Sequence, residues 1–296
     1  MSAENVDKLP VHYEQLEDLQ EDLEQVELEL TRIRDEKTRD LLAEREKIVE
    51  QIPNFWPLVF EHAPPEIDEY IQPTDATIIV TALKKLSVAR FELPNGHPRS
   101  ISIKFEFGDN EYFEDTTLEK KFWWRTAKDG WAGLVSEPVP IKWKPGKDLT
   151  DGLLDLAKQI FDDEKAGNMG KDTPAKKALV AKLENTSLDN VSFFNFFGFR
   201  GRYISEEESR VATKAEEERR QARKAGKQVD EDEDEEEDDD DDFEFEVFPN
   251  ADEVAVTIVE DLYPDAIQYF LDGENLAAMS DADFEDEEEE DGMKMD

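Results

Sequence analysis

Between Val11 and Ile52 the chain carries neither Gly nor Pro, and its residues are mostly Glu, Leu, Lys, Arg and Gln. These are strong helix formers, so one continuous helix is predicted over 12–52. Leu16, Leu19, Leu23, Val26, Leu30 and Ile33 recur at alternating steps of three and four. That is the a/d seam of a coiled coil. At about 1.5 Å per residue the helix is roughly 60 Å long, more than one small body can cover. No second heptad segment follows as an internal partner, so these six residues are the predicted interface of a homodimer. The competing reading is a solvated single helix or a hairpin arm.

Charge orients the pair. Glu14 to Glu29 holds eight acids and no base, whereas Thr31 to Glu50 mixes Arg32, Arg34, Lys37, Arg39, Arg45 and Lys47 with six acids. An antiparallel pair sets the acidic half against the mixed half and avoids like-charge contact. The seam lapses at Lys37 and Asp40. Leu41, Leu42, Ile48, Val49 and Ile52 then read as a shifted stripe suited to docking on a globular body, and Pro53 ends the run.

Beyond it, Pro73-Thr74-Asp75 reads as a helix start. Period-two alternation then sets in at Leu86 and Val88, at Ile101 to Phe107, and from Leu118 to Thr126. Pro94 to Pro98 and Gly108-Asp109-Asn110 supply the turns, which gives an antiparallel meander. Leu149 to Phe161 is helical in pattern, and residues 162–190 read as polar and loose in part. The run from Val191 to Phe199 is too aromatic for solvent and is assigned to the core. Val254 to Leu271 resumes a helical period. The fold class is therefore α+β.

Lys+Arg total 35 against 77 Asp+Glu, a formal net charge of −42. A chain this acidic repels nucleic-acid and membrane phosphates and suits basic proteins. Asp230 to Asp242 is thirteen consecutive acids, and residues 274–296 add a second acidic stretch. With no Cys, disulfides and thiolate chemistry are out. His12, His62 and His97 stand in separate segments, with no zinc spacing, phosphate loop or nucleophile elbow. No enzyme, cofactor or membrane span is expected. Trp123, Trp124, Trp131 and Trp143 are assigned to packing rather than base stacking, because no basic groove accompanies them. Arg219 to Lys227 is either an import signal or a charged helix pairing with Glu216 to Glu218.

Five runs in order carry a resemblance: 52–56 (IPNFW), 102–107 with 110–114, 141–150 (IKWKPGKDLT), 192–197 (SFFNFF) and 260–265 with 268–270. Together they resemble the nucleosome assembly protein family, in its SET/TAF-I branch. The resemblance implies antiparallel backbone helices joining two α+β "earmuff" bodies. It also implies a nuclear histone chaperone, with the cytoplasm open to it too, that is not an enzyme and reads no DNA sequence. Its partners are the two core-histone pairs, H3–H4 and the pair of H2 histones, and, further, linker histone. The expected layout is a frayed 1–11, a dimerisation helix at 12–52, an earmuff at 53–200 and 243–273, an acidic insertion at 201–242 and a tail at 274–296. By position near the matched runs, the histone-binding candidates are Asp148, Thr150, Asp189, Asp252, Glu253, Glu260, Asp261 and Asp265. Asp230, Asp234, Asp238, Asp242, Glu287 and Glu290 represent the acid runs, and Tyr263 is placed in the core. The alternative function is a regulatory scaffold that masks histone tails or inhibits a modifying enzyme or phosphatase.

Overall fold

The computed structural model describes residues 13–168, 171–185, 191–225 and 246–276. Helix α1 (Tyr13–Val49) runs unbroken for 37 residues, as the missing Gly and Pro require. The chain then turns through Asn54, whose φ of 58° lies in the left-handed region, into α2 (Phe55–Glu61). Two short helices follow, α3 (Pro65–Asp68) and α4 (Pro73–Ala82).

Four strands form one antiparallel sheet in chain order: β1 (Leu83–Ala89), β2 (Ile101–Phe107), β3 (Thr117–Thr126) and β4 (Ala132–Ser136). The pairings Leu86 with Phe105 and Phe105 with Leu118 bring the alternating apolar residues to one face. That face is packed by α2, by α8 (Ala251–Thr257) and by a 3₁₀ segment, Phe193–Gly198. Phe193, Phe194, Phe196 and Phe197 are all buried there. Phe197 and Phe193 meet Phe105 edge-on, with ring centroids 5.8 and 6.2 Å away. A β-carbon on Gly198 would come within 2.6 Å of Val247, so only glycine lets the segment pack this closely.

Two buried ions fix that segment. The Asp75 carboxylate accepts from Ser192 Oγ (2.6 Å), Phe193 N (2.7 Å) and Gln72 N (3.1 Å), and burial pushes its carboxyl up. Lys120, fully buried, donates to the carbonyls of Glu137 (2.9 Å), Phe197 (3.1 Å) and Phe199 (2.6 Å). Burial holds its ammonium well below the usual lysine range. A buried ion persists only when its hydrogen-bonding capacity is met in this way.

Three expectations need correction. β4 was not foreseen. The stretch read as loose contains α6 (Pro174–Leu183), which packs against α5 (Leu153–Asp163). The stripe after Ile33 also divides: Val49 is buried and Leu42 and Ile52 pack on the core, but Leu41 and Ile48 stay exposed.

On the sheet's other face Ala127, Val135 and Ile204 form a small cluster with Trp123 and Trp131. Helix α7 (Glu206–Lys224) packs beside it, with Ser209 Oγ accepting from Thr126 N (3.0 Å). The far end of α7 reaches α1. Arg220 pairs with Asp22 (2.6 Å), Arg223 with Glu21 (2.5 Å) and Lys224 with Asp22 (2.5 Å). The basic cluster thus finds its main counter-charges on α1, with Lys214–Glu218 (3.5 Å) as a pair inside α7. Part of the acidic half of α1 is neutralised within its own chain. The charge argument for an antiparallel pair loses force accordingly.

Candidate functional site

The last part of the body is built around a clamp on α1. Arg45, buried, lies 4.4 Å above the Tyr263 ring, and Trp56 stacks on that same ring at 5.7 Å. Arg45 Nη1 also donates to the Tyr263 and Pro264 carbonyls. Such a sandwich desolvates the guanidinium but returns cation–π and hydrogen-bond contacts. The clamp fixes the end of α8, a π-helical turn (Ile258–Leu262) and a last helix, α9, over residues 266–276. Short α3 is pinned to the same unit. Ile67 is fully buried, Tyr70 packs on Phe248 with centroids 5.0 Å apart, and Asn250 Nδ2 donates to Tyr70 Oη (2.6 Å).

This packing gathers carboxylates from separate segments. Glu66, Asp68 and Glu69 come from α3 and its cap, Asp252 and Glu253 from the first turn of α8, and Asp261 and Asp265 from the turns beyond. Three of them, Asp261, Asp265 and Glu66, act on Tyr269, whose hydroxyl donates to Asp261 Oδ1 (2.9 Å). Burial, the Asp261 bond and the charges of Asp261, Asp265 and Glu66 push that hydroxyl up to about 12. Burial also raises the Asp252 carboxyl. Among the described residues none of these seven acids forms an ion pair with Lys or Arg. The result is an acidic face whose charge is not cancelled locally.

Of the sequence candidates, Asp252 and Glu253 lie in the first turn of α8, while Asp261 and Asp265 stand beside Tyr269 with Glu66. Glu260 turns the other way, pairing with Arg34 of α1 (2.5 Å) and with Arg90, so it ties α1 to the sheet. Asp148 lies elsewhere and organises a loop. It accepts from Thr150 N (2.8 Å), Thr150 Oγ1 (2.6 Å) and Gly152 N (2.8 Å). Thr150 is buried, with its hydroxyl donated to Asp148. Tyr263 is in the core, as read. Asp189, Asp230, Asp234, Asp238, Asp242, Glu287 and Glu290 lie outside the described residues. Glu66, Asp68 and Glu69 were missed. Pro65 at the first helical position was the available signal, since it starts a turn carrying all three.

The six seam residues have 46 to 56% of their surface exposed, although α1 is otherwise anchored to the body. A stripe of large aliphatic side chains this open on one helix face is an interface in waiting.

A long helix carrying a four-stranded meander with a Phe-rich plug defines an α+β fold, and it is shared with known proteins. The model of the nucleosome assembly protein (NAP) family matches residues 5–273; the chain belongs to that family. A putative nucleosome assembly protein of Schizosaccharomyces pombe is 34% identical over 161 residues, covering 51% of this chain and 64% of that one. Protein SET of Drosophila melanogaster is 35% identical over 113 residues, covering 37% and 40%. The matched segment thus spans less than two thirds of either relative. Among solved structures, Ccp1 aligns over 88% of this chain and 95% of its own at 26% identity, with a TM-score of 0.53. Vps75 aligns over 88% and 98% at 20% identity, with a TM-score of 0.55, a likeness of fold.

Proposed function

We propose that this protein is a histone chaperone, working as an antiparallel homodimer without enzymatic chemistry. The observation that carries the reading is the set of acids on α3, on α8 and on the turns after it, with no Lys or Arg paired to them among the described residues, in a member of the nucleosome assembly protein family. Vps75, which shares the fold, is described as a histone chaperone.

The physics is competition between polyanions. Histones hold DNA largely through phosphate neutralisation and counterion release. A fixed array of carboxylates replaces the phosphates, shields the histone from stray DNA contacts, and yields it to a duplex of higher charge density. The acid runs at 230–242 and 274–296 extend this screening, while the folded face supplies shape and hence selectivity. Dimerisation through Leu16, Leu19, Leu23, Val26, Leu30 and Ile33 doubles the array. Each of those side chains contributes about 1.5–3 kcal/mol when fully buried, enough together to hold two copies. The H3–H4 pair and the pair of H2 histones are the proposed cargo, linker histone a further one, and the nucleus the proposed site of action.

The test is binding of core histone pairs across a salt series, against an unrelated basic protein of equal charge. Selective binding that survives moderate salt supports the reading. Equal binding of both overturns it.

A further inference from the structure

Eight large aliphatic side chains stand exposed on α1: the six seam residues together with Leu41 and Ile48, which are 65 and 56% exposed. At about 100° per residue all eight fall within one arc of about 100°. Arg45 and Val49, turned to the body, and Asp18 and Glu21, turned to α7, fall outside that arc. The stripe is therefore continuous from Leu16 to Ile48, with Lys37 and Glu44 in its two remaining places. From Leu30 to Leu41 its steps are three, four and four. That is the spacing of a stutter, which brings a stripe back into line where a strict heptad drifts around a straight helix.

The stripe is also symmetric about its middle. A two-fold axis level with residues 31 and 32 sets Leu16 of one copy against Ile48 of the other, Leu23 against Leu41, and Leu30 against Ile33. Val26 then meets Lys37 and Leu19 meets Glu44, whose aliphatic stems lie along them. Lys37 also comes level with Glu27, opposite in sign. A shorter register, with its axis level with residues 24 and 25, pairs the six seam residues among themselves. It sets Glu27 level with Asp22, like against like, and places no described residue opposite Leu41 or Ile48. Two open aliphatic side chains in line with an interface favour the register that covers them.

We propose that the dimer axis lies level with residues 31 and 32, so that a second copy of this chain covers Leu41 and Ile48 as well as the six seam residues. The inference rests on the antiparallel dimer proposed above and fixes how far apart its two bodies stand. Each body is clamped on α1 at Arg45, about 20 Å from the axis, so the two clamps lie about 40 Å apart along the helices. The shorter register separates them by about 60 Å. A basic cargo held by both bodies at once must span that gap.

Because the chain has no cysteine, disulfide trapping is clean. Leu16→Cys with Ile48→Cys, and Leu23→Cys with Leu41→Cys, are each expected to form covalent dimers on mild oxidation. Leu16→Cys with Ile33→Cys is expected to stay largely uncrosslinked. A spin label on Lys47→Cys, exposed on α1, is expected to report about 47 Å between copies. A separation of about 68 Å, or crosslinking of the third pair in place of the first two, overturns the register and leaves the antiparallel dimer standing. Leu16→Cys crosslinking to itself means parallel helices, and a monomeric mass by light scattering means no dimer; either overturns both readings. Leu41→Asp with Ile48→Asp leaves the buried face of α1 untouched. It is expected to raise the dimer dissociation constant about a hundredfold or more, with helix content unchanged; an unchanged constant overturns the proposal.

Discussion

Two acidic regions of this molecule look alike in sequence and differ in kind. The first half of α1 holds eight carboxylates without a base, and α3, α8 and the turns after α8 hold seven drawn from scattered positions. The dense run has Arg220, Arg223 and Lys224 of α7 laid against Asp18, Glu21 and Asp22, while Arg99 holds Glu24 (2.5 Å). The scattered set has no cation against it among the described residues. Negative potential available to a partner therefore follows from which carboxylates the fold leaves uncompensated, not from how many occur in a row.

The largest expected effect tests the face directly. Glu66→Lys, Asp261→Lys and Asp265→Lys together are expected to weaken binding of core histones about a hundredfold, with the melting temperature nearly unchanged. Isothermal titration and a thermal melt on one sample decide it. The mirror experiment reverses α7: Arg220→Glu, Arg223→Glu and Lys224→Glu. These pairs are partly solvent-exposed and individually weak, so the melting temperature is expected to fall by about 5 °C. Histone affinity is expected to change far less than for the face variant. If the two variants exchange their outcomes, α1 is the binding surface and the comparison is inverted.

The smallest effects have opposite signs in the two regions. Burial raises the Asp252 carboxyl above its ordinary 3.8, so its ionisation at neutral pH works against folding. Asp252→Asn is expected to add a few tenths of a kcal/mol or less at pH 7. The gain shrinks as pH falls through the raised value and is absent below 3.8. The hydrogen bonds from Lys224 and Arg220 lower the Asp22 carboxyl, so its ionised form favours folding. Asp22→Asn is expected to cost stability at pH 7, with the cost vanishing as pH falls through the lowered value. Denaturant midpoints at pH 7 read both signs, and a series carried well below pH 3.8 follows the loss of each effect.

Much of this architecture was legible where one residue type dominates a local choice. The breaker-free run gave α1, clean alternation gave β2 and β3, and the Phe-rich run could only be core. β4 escaped because Ala132-Gly133-Leu134-Val135-Ser136 has no alternation and owes its place to pairing with β3. α6 escaped because its lysines hid a start signal that was present. Thr173 caps Lys176 N (3.3 Å), Pro174 sits at the first helical position, and Ala175 and Leu179 are buried one turn apart. The acidic face was half legible. Asp252, Glu253, Asp261 and Asp265 share a stretch, but Glu66 joins them only through the packing of Ile67, some two hundred positions away in sequence. Glu260 sits in the same stretch yet pairs with Arg34 and Arg90, because successive helical residues point in different directions.

Glu246 has a consequence for the acid run that precedes it. Its buried carboxylate accepts from Arg200 N (3.2 Å) and Gly201 N (2.9 Å) and faces the Arg200 guanidinium. At the other end, α7 delivers residue 225 beside Asp22 of α1. The described chain is thus moored to the body on both sides of the thirteen acids, at the end of α7 and at Glu246.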